Sequence, residues 1–277
     1  MVVRSVETID SEELRSLLKA IRETYGYDFT QYAEASIKRR SLYFMNSRNI
    51  RSTNELKHEL LTSDHLFEEF VRNISVTVTE MFRDPNFYAA LRDTAMKRLA
   101  TYPFIKVWVA GCATGEEVYS IAILLKEEGL LSRSLIYATD INQHSLLQAK
   151  EGIFPMDLMK AYTSNYIKSG GQQDFSQYYV AQYNAALFDR NLRNSIVFAP
   201  HNLASDQSFN EFQLILCRNV LIYFNQELQN RVMNLIYDSL CNFGILGLGN
   251  KESLLFTDKQ KCFDALDKKQ KIFIKIA

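Results

Sequence analysis

The feature that most constrains the fold of this chain is an apolar run followed directly by a glycine-containing turn and a helix. Residues 104–110 are rich in β-branched and aromatic side chains and predict a buried strand. Residues 111–115 predict a turn, and residues 116–125 predict a helix. Such a unit lets a ligand approach the backbone closely and directs the first helical N–H groups towards it. We therefore expect a ligand site at this turn.

A second apolar run, residues 135–139, ends at Asp140, about 25 residues after Gly115. An acidic residue at this point of a βαβ unit is placed to bind ribose hydroxyls. The turn itself lacks the Gly-x-Gly-x-x-Gly of dinucleotide sites and the Gly-Lys-[Ser/Thr] of phosphate loops. Glu116 and Glu117 follow it and would repel a pyrophosphate, but they suit a cationic ligand. The pattern favours S-adenosylmethionine, although Gly111 and Gly115 alone are equally typical of helix–strand packing.

The composition of the chain limits its domain number and the kinds of partner that it can bind. A length of 277 residues with 47% hydrophobic content allows one large domain or two smaller ones. The 32 basic and 32 acidic residues balance, so nothing indicates nucleic acid or an anionic membrane as a partner. The apolar runs are too short for membrane insertion. The cysteines are scattered, as is typical of a cytoplasmic protein, and the histidines lack metal-ligand spacing, so we expect no metal.

The chain is predicted to contain two domains. Residues 1–78 predict helices, with a helix start at Asp10 and an apolar stripe that includes Leu14 and Leu18. Residues 79–277 predict an α/β domain that begins with a helix at Pro85 and continues with alternating strands and helices. Within it, residues from about 162 to 200 predict a small inserted antiparallel β subdomain. Residues 212–217, 245–249 and 271–276 predict further strands, and residues 226–241 predict a helix.

Four segments, taken in order, resemble the chemotaxis-receptor methyltransferases of the CheR family. They are residues 75–85 (SVTVTEMFRDP), 110–122 (AGCATGEEVYSIA), 138–141 (ATDI) and 217–224 (CRNVLIYF). The resemblance implies a Rossmann-like S-adenosylmethionine-dependent methyltransferase sheet, an N-terminal helical domain and the inserted β subdomain. It also implies a set of cofactor-binding residues: Thr77, Thr79, Arg83, Gly111, Glu116, Glu117, Asp140, Asn202, Leu203, Arg218, Asn219 and Val220.

The reaction that the resemblance implies is transfer of a methyl group from S-adenosylmethionine to glutamate side chains, leaving S-adenosylhomocysteine. The partner is the cytoplasmic helical region of methyl-accepting chemotaxis receptors, and the protein is expected to be a monomer. Lys38, Arg39 and Arg40 are the candidates for docking the acidic receptor helix. Arg83 and Tyr223 form a hypothesised catalytic pair that holds one oxygen of the accepting carboxylate.

Each candidate residue could instead have a purely structural role. Arg83 and the basic run could be solvated, Tyr223 could lie in the core, Asn202 could form a turn, and the acids after Gly115 could only stabilise a helix dipole. Residues 242–244 and 249–253 depart from the common family pattern and leave open methylation of another signalling protein, or an adaptor role. A nicotinamide-dependent oxidoreductase is the third alternative.

Overall fold

The computed structural model describes residues 8–75, 79–255 and 257–276. The contacts within the chain divide it into two compact units. The first unit comprises Met1–Val76 and Tyr223–Arg231, and the second comprises Thr77–Ile222 and Val232–Ala277. The first unit is therefore discontinuous in sequence.

The first unit is helical, as predicted. Its helices are α1 Ser11–Tyr25, α2 Glu34–Arg48, α3 Thr53–Thr62 and α4 Asp64–Ile74. The predicted start of α1 is confirmed, because the Asp10 carboxylate accepts hydrogen bonds from the N–H groups of Glu12 and Glu13. The apolar stripe of α1 is buried, and Gly26 ends the helix with a φ of 76°, a conformation that glycine adopts without steric cost.

The segment Tyr223–Arg231, far from the four helices in sequence, completes this unit. The N–H of Ala33 donates to the carbonyl of Tyr223 at 2.8 Å. Tyr32 and Phe224 form an antiparallel bridge, and their ring centroids lie 4.9 Å apart. Tyr223 is thus fixed to the connection between α1 and α2 by backbone as well as by its neighbour's ring.

The second unit contains the strands and the remaining helices. Its strands are β1 Ile105–Ala110, β2 Ser134–Asp140, β3 Ile153–Pro155, β4 Tyr179–Gln182, β5 Ala185–Phe188, β6 Ile196–Pro200, β7 Phe212–Cys217, β8 Leu240–Leu248, β9 Phe263–Asp267 and β10 Ile272–Lys275. Its helices are α5 Pro85–Leu91, α6 Lys97–Leu99, α7 Glu116–Glu127, α8 Gln143–Glu151, α9 Met156–Lys168 and α10 Arg190–Arg193, and α11 Gln226–Ser239 contains the division between the units. A π-helical turn, Arg92–Met96, joins α5 to α6. Within the described ranges, no helix is both long enough and apolar enough to cross a membrane.

The larger sheet has seven strands in the order β6-β2-β1-β7-β8-β10-β9. Strands β6, β2, β1, β7 and β8 are parallel, whereas β10 is antiparallel to β8 and β9. Val107 and Val109 of the central strand β1 are fully buried. The predicted α/β fold, with an N-terminal helical domain and a small antiparallel sheet, is confirmed. The carboxyl ends of β1, β2 and β7 meet at one edge, which is where such sheets bind ligands.

The smaller sheet, in the order β3-β5-β4, lies between Ile153 and Phe188. Residues 196–200, which were predicted to belong to the insertion, instead form β6 and pair in parallel with β2. This strand lies at the edge of the larger sheet, so that Val197 is 39% exposed. A half-exposed edge strand has the same sequence pattern as a solvent-facing antiparallel strand, and this explains the error.

A buried carboxylate at the end of α7 attaches this helix to the chain that leads into β4. Glu127, whose side chain is 2% exposed, pairs with Arg92 at 2.7 Å and accepts hydrogen bonds from the hydroxyl groups of Tyr166 and Tyr178. The N–H of Gln172 also donates to it, at 3.0 Å. Burial alone would raise the pKa of Glu127, but these hydrogen bonds outweigh burial and hold the pKa below its ordinary value.

We expect Glu127→Gln to lower the free energy of unfolding by about 3 kcal/mol at neutral pH, because Arg92 loses a buried partner. A lowered pKa stabilises the folded state above the unfolded-state pKa, and this stabilisation disappears as the pH falls through the folded-state value. The difference between variant and parent should therefore shrink below about pH 4 in urea titrations. Exposed Glu151, changed to Gln, is the control. A loss of equal size at both pH values would contradict the assignment.

Candidate functional site

The glycine turn and Asp140 are joined at the ends of β1 and β2. The N–H of Gly111 donates to the carbonyl of Thr139 at 2.8 Å. The Asp140 carboxylate accepts hydrogen bonds from the N–H groups of Ala113 at 2.9 Å and Asn142 at 2.8 Å. Burial raises the pKa of Asp140 in spite of these bonds. The carboxylate predicted to bind ribose thus also holds the turn in place.

Both glycines of the turn are required by its geometry. Gly111 and Gly115 have φ values of 73° and 97°, in the left-handed region. A Cβ atom on Gly111 would lie 2.5 Å from a methyl group of Val220, and one on Gly115 would lie 2.9 Å from the Cβ of Ala149. The close approach of Val220 brings the loop after β7 against the glycine turn.

Arg218 is the centre of a buried charge cluster. Its guanidinium group donates to the carboxylates of Glu117 at 2.6 Å and Asp84 at 2.9 Å, and it lies 3.9 Å from the centroid of the Phe87 ring. The hydroxyl of Tyr88 donates to the same Glu117 carboxylate at 3.2 Å. Burial lowers the pKa of Arg218, but the adjacent carboxylates more than compensate, so that the net shift is upward and the group stays charged.

The two acids at the start of α7 have different environments. Glu116 is 6% exposed and accepts hydrogen bonds from the hydroxyl groups of Thr114 at 2.7 Å and Tyr162 at 3.4 Å. Burial raises the pKa of Glu116. The Glu117 side chain is 13% exposed and is oriented by Arg218. The acidic pair seen in the sequence is therefore one buried carboxyl group and one ion-paired carboxylate.

The loop after β7 is held by a single carboxylate. The N–H groups of Asn219, Val220 and Leu221 donate to Glu252 at 3.0, 2.8 and 2.8 Å. The N–H of Gly249 donates to the same carboxylate at 2.6 Å. Asn219 has a φ of 61°, a left-handed conformation that is uncommon outside glycine and is tolerated best by Asn and Asp.

Asn202 and Leu203 follow β6 and adjoin the end of β2. The N–H of His201 donates to the backbone carbonyl of Asp140 at 3.2 Å. The side-chain carbonyl of Asn202 accepts a hydrogen bond from the N–H of Ala204 at 3.0 Å, so Asn202 also forms a local turn. Leu203 is 8% exposed. Both residues predicted to contact adenine thus directly follow a residue whose backbone is hydrogen-bonded to Asp140.

Thr79 and Arg83 lie in the connector before α5, and both are half-buried. Thr77 lies outside the described residues. The carbonyl of Arg83 accepts a hydrogen bond from Arg218 at 3.2 Å. Asp84 has a φ of 58°, and residues held in such conformations cluster at functional sites. The connector is thereby attached to the Arg218 cluster.

The remaining predicted residues lie in the first unit. Lys38 forms an ion pair with Glu34 at 2.8 Å, and Arg39 is exposed. Arg40 is half-buried, and its guanidinium carbon lies 5.9 Å from the centroid of the Tyr223 ring. Of the basic run, Arg39 is therefore the residue most open to a partner, whereas Arg40 lies beside the proposed catalytic tyrosine.

The two thiols and the imidazole described at the sheet edge are largely inaccessible to a ligand. Cys112 and Cys217 are buried, and burial raises the pKa of both thiols well above the ordinary value. The Nε2 atom of His201 lies 3.2 Å from the carbonyl of Gln207, and its ring packs against Trp108. In the ranges that the structure describes, no cluster of three or more His, Cys, Asp or Glu side chains could hold a metal ion.

Sequence reasoning did not single out Asp84, Tyr88 or Glu252. Asp84 lies 134 residues before Arg218 in sequence, so no local pattern links the two. Glu252 gave a usable signal, because it is a carboxylate in the loop that follows β8, and the carboxyl end of β8 lies beside that of β7.

Comparison with known proteins gives matches over almost the whole chain. Residues 77–272 match the family described as CheR methyltransferase, SAM binding domain, and residues 12–75 match its all-alpha domain. The chain is 49% identical over 263 residues to the provisionally named methyltransferase Cher3 of Pseudomonas putida, covering 95% of this chain and 96% of that protein. It is 29% identical over 239 residues to a chemotaxis protein methyltransferase of Listeria innocua, covering 86% and 88%.

A third relative is an uncharacterized 104.1 kDa protein of Rhodobacter capsulatus, 29% identical over 272 residues. That match covers 95% of this chain but 27% of the larger protein. The matched family domains span both the helical segment and the α/β segment that contains Asp140, Glu117 and the glycine turn. The chain therefore belongs to the CheR methyltransferase family and binds S-adenosylmethionine in its second unit.

Proposed function

We propose that the protein transfers the methyl group of S-adenosylmethionine to glutamate side chains in the cytoplasmic helical region of methyl-accepting chemotaxis receptors. The products are γ-glutamyl methyl esters and S-adenosylhomocysteine. The name of the Listeria relative, a chemotaxis protein methyltransferase, supports this substrate class. The protein is proposed to act in the cytoplasm as a monomer and without a metal.

The observation that carries the proposal is that the carboxylates of Glu116, Glu117 and Asp140 are each already hydrogen-bonded within the protein. The thiols are buried with raised pKa values, and Glu117 is ion-paired with Arg218. An acceptor that is already anionic needs no base, and a glutamate with a pKa of about 4.3 meets this condition at neutral pH. A carboxylate oxygen bonds to the methyl carbon, the carbon–sulfur bond breaks, and its electron pair goes to sulfur.

Alignment of the carboxylate, the methyl group and the sulfur then supplies most of the rate, roughly 7–11 kcal/mol in well-oriented systems. Arg83 and Tyr223 are proposed to hold the second carboxylate oxygen while the first reacts. Thr77, Thr79, Asn202 and Leu203 are proposed to line the cofactor, together with the residues after β1, β2 and β7.

Of the two acids that the sequence could not distinguish, we infer that Glu117 contacts the ammonium group of the cofactor. Its carboxylate is oriented by Arg218 and is more exposed than that of Glu116. Glu117→Gln is expected to weaken S-adenosylhomocysteine binding about tenfold, through loss of a charge-assisted hydrogen bond. Glu116→Gln makes the same change in side-chain size and should have a smaller effect in calorimetric titrations. The opposite order would assign the contact to Glu116.

The test is incubation of the full chain with methyl-labelled S-adenosylmethionine and purified receptor cytoplasmic fragments. Label that is released as methanol in base, and that is lost when the acceptor glutamates are replaced by alanine, identifies glutamate O-methylation.

In the same assay, Arg39→Glu should raise the KM for the receptor without changing cofactor affinity. Tight binding of S-adenosylhomocysteine without transfer would shift the assignment to another signalling protein or to an adaptor, the alternative suggested by residues 242–244 and 249–253.

We expect Arg83→Ala and Tyr223→Phe each to lower kcat about a hundredfold, because each removes one preorganised contact to the accepting carboxylate. Exposed Arg190→Ala and Tyr183→Phe are matched controls, and Tyr183 is 97% exposed. Single-turnover methylation separates the chemical step from binding. Unchanged turnover and receptor affinity in both site variants would exclude this pair.

A further inference from the structure

The Glu252 carboxylate occupies a cradle of four backbone N–H groups. Three come from the successive residues Asn219, Val220 and Leu221, and the fourth comes from Gly249. Successive N–H groups in a loop that includes a left-handed residue form a concavity that commonly binds anions. Here the chain supplies its own anion, and Glu252 is 4% exposed. The cradle is therefore closed, and its effect is on the loop that forms it.

The hydrogen bonds to Glu252 also fix the direction of the carbonyl groups in the loop after β7. In a planar trans peptide unit, a carbonyl points away from the N–H of the next residue. Because the N–H groups of residues 219–221 point at Glu252, the carbonyls of Arg218, Asn219 and Val220 point away from it. The same loop touches the cofactor turn, since Val220 packs against Gly111. Carbonyl oxygens are suitable acceptors for an ammonium group and suitable neighbours of a sulfonium.

We propose that Glu252 is a positioning residue for the cofactor: it sets the carbonyls of Arg218 and Asn219 as acceptors for the cationic methionine portion of S-adenosylmethionine. Glu252 acts through the loop and does not touch the cofactor. The inference depends on cofactor binding and not on the identity of the methyl acceptor. A failure of the protein to methylate receptors would therefore not contradict this inference.

The first test is Glu252→Gln in the full chain. Glutamine has nearly the same volume, but it offers one acceptor oxygen and turns an NH₂ group towards N–H donors. The dissociation constant of S-adenosylhomocysteine should rise about tenfold or more, as measured by titration calorimetry. The KM for S-adenosylmethionine should rise as well, whereas the KM for the methyl acceptor should not. A purely structural role would not produce this split.

Glu127→Gln is the matched control, because Glu127 is also a buried carboxylate of the second unit with side-chain and backbone donors. It should leave cofactor affinity within about twofold of the parent, as expected for a distant site. Circular dichroism and urea titration verify that both variants are folded. A folded Glu252→Gln variant that binds S-adenosylhomocysteine like the parent would overturn the proposal.

Gly249→Ala provides a second variant that keeps the carboxylate. The added Cβ would lie 2.8 Å from Oε2 of Glu252 and 2.9 Å from the nitrogen of Asn219, so the cradle must open. The same loss of affinity is expected. Hydrogen exchange of the parent protein is an independent test, because it does not depend on the folding of any variant. The amides of residues 219–221 should be protected before any ligand is added, and protection that arises only with S-adenosylhomocysteine would also overturn the proposal.

Discussion

Replacing Asp140 with alanine is expected to weaken S-adenosylhomocysteine binding by about a hundredfold to a thousandfold. Two hydrogen bonds from ribose hydroxyls to a carboxylate contribute roughly 3–4 kcal/mol, which corresponds to this range. The variant also removes the acceptor for the N–H groups of Ala113 and Asn142, so the glycine turn loses its anchor. Titration calorimetry with the purified full chain measures the effect directly.

Asp189→Ala is the matched control for this result. Asp189 caps α10 by accepting a hydrogen bond from the N–H of Asn191 at 2.9 Å, and it pairs with Lys126 at 3.2 Å. Its loss should cost about 1 kcal/mol of stability without changing cofactor affinity. Asp140→Asn keeps the shape and removes the charge, and it should give an intermediate affinity. Equal binding by the Asp140→Ala and Asp189→Ala variants would exclude the ribose role.

The second large effect is expected from Arg218→Ala, which should lower the free energy of unfolding by about 3–5 kcal/mol. The change leaves the Glu117 carboxylate, whose side chain is 13% exposed, without its cation. It also removes the guanidinium group that packs 3.9 Å from the Phe87 ring centroid. Cofactor binding should fall too, because Arg218 orients Glu117. Urea titration monitored by circular dichroism measures the stability.

A charge-neutral replacement separates packing from electrostatics. Arg218→Met combined with Glu117→Gln fills the space and removes the less exposed of the two carboxylates paired with Arg218, so it should recover part of the lost stability. It should not recover cofactor affinity. Arg133→Ala is the control, because the guanidinium group of Arg133 donates to the carbonyls of Ala100 and Tyr102 and has no carboxylate partner among the described contacts. A double variant no more stable than Arg218→Ala would contradict the electrostatic explanation.

The parts of the fold that follow local rules were predicted well from the sequence. The strand at β1, the turn at Gly111 and the helix α7 follow one another within a few residues, and hydrophobic patterning specifies each of them. The start of α1 at Asp10 is likewise a local hydrogen-bonding signal. The placement of Asp140 at the end of β2 required only that two consecutive strands be parallel neighbours.

The remaining features depend on contacts between residues distant in sequence. β6 was assigned to the wrong sheet because strand pairing is chosen by the whole fold, and β9 was not predicted at all. Arg218 was expected at the cofactor edge, but its pairing with Glu117, 101 residues earlier, could not be inferred from spacing. The roles proposed for Arg83, Tyr223 and the basic run at Lys38–Arg40 remain predictions.

During synthesis, α1–α4 leave the ribosome before any strand of the sheet, yet the unit that they form includes Tyr223–Arg231. The hydrogen bond from Ala33 to Tyr223 closes a chain segment of about 190 residues. In a flexible chain, closing a loop of this length costs roughly 5 kcal/mol of entropy. Folding of β1–β7 shortens the effective loop and lowers this cost. A nascent chain arrested before Tyr223 would therefore carry the N-terminal helices without the segment that completes their unit, so the part made first is finished late.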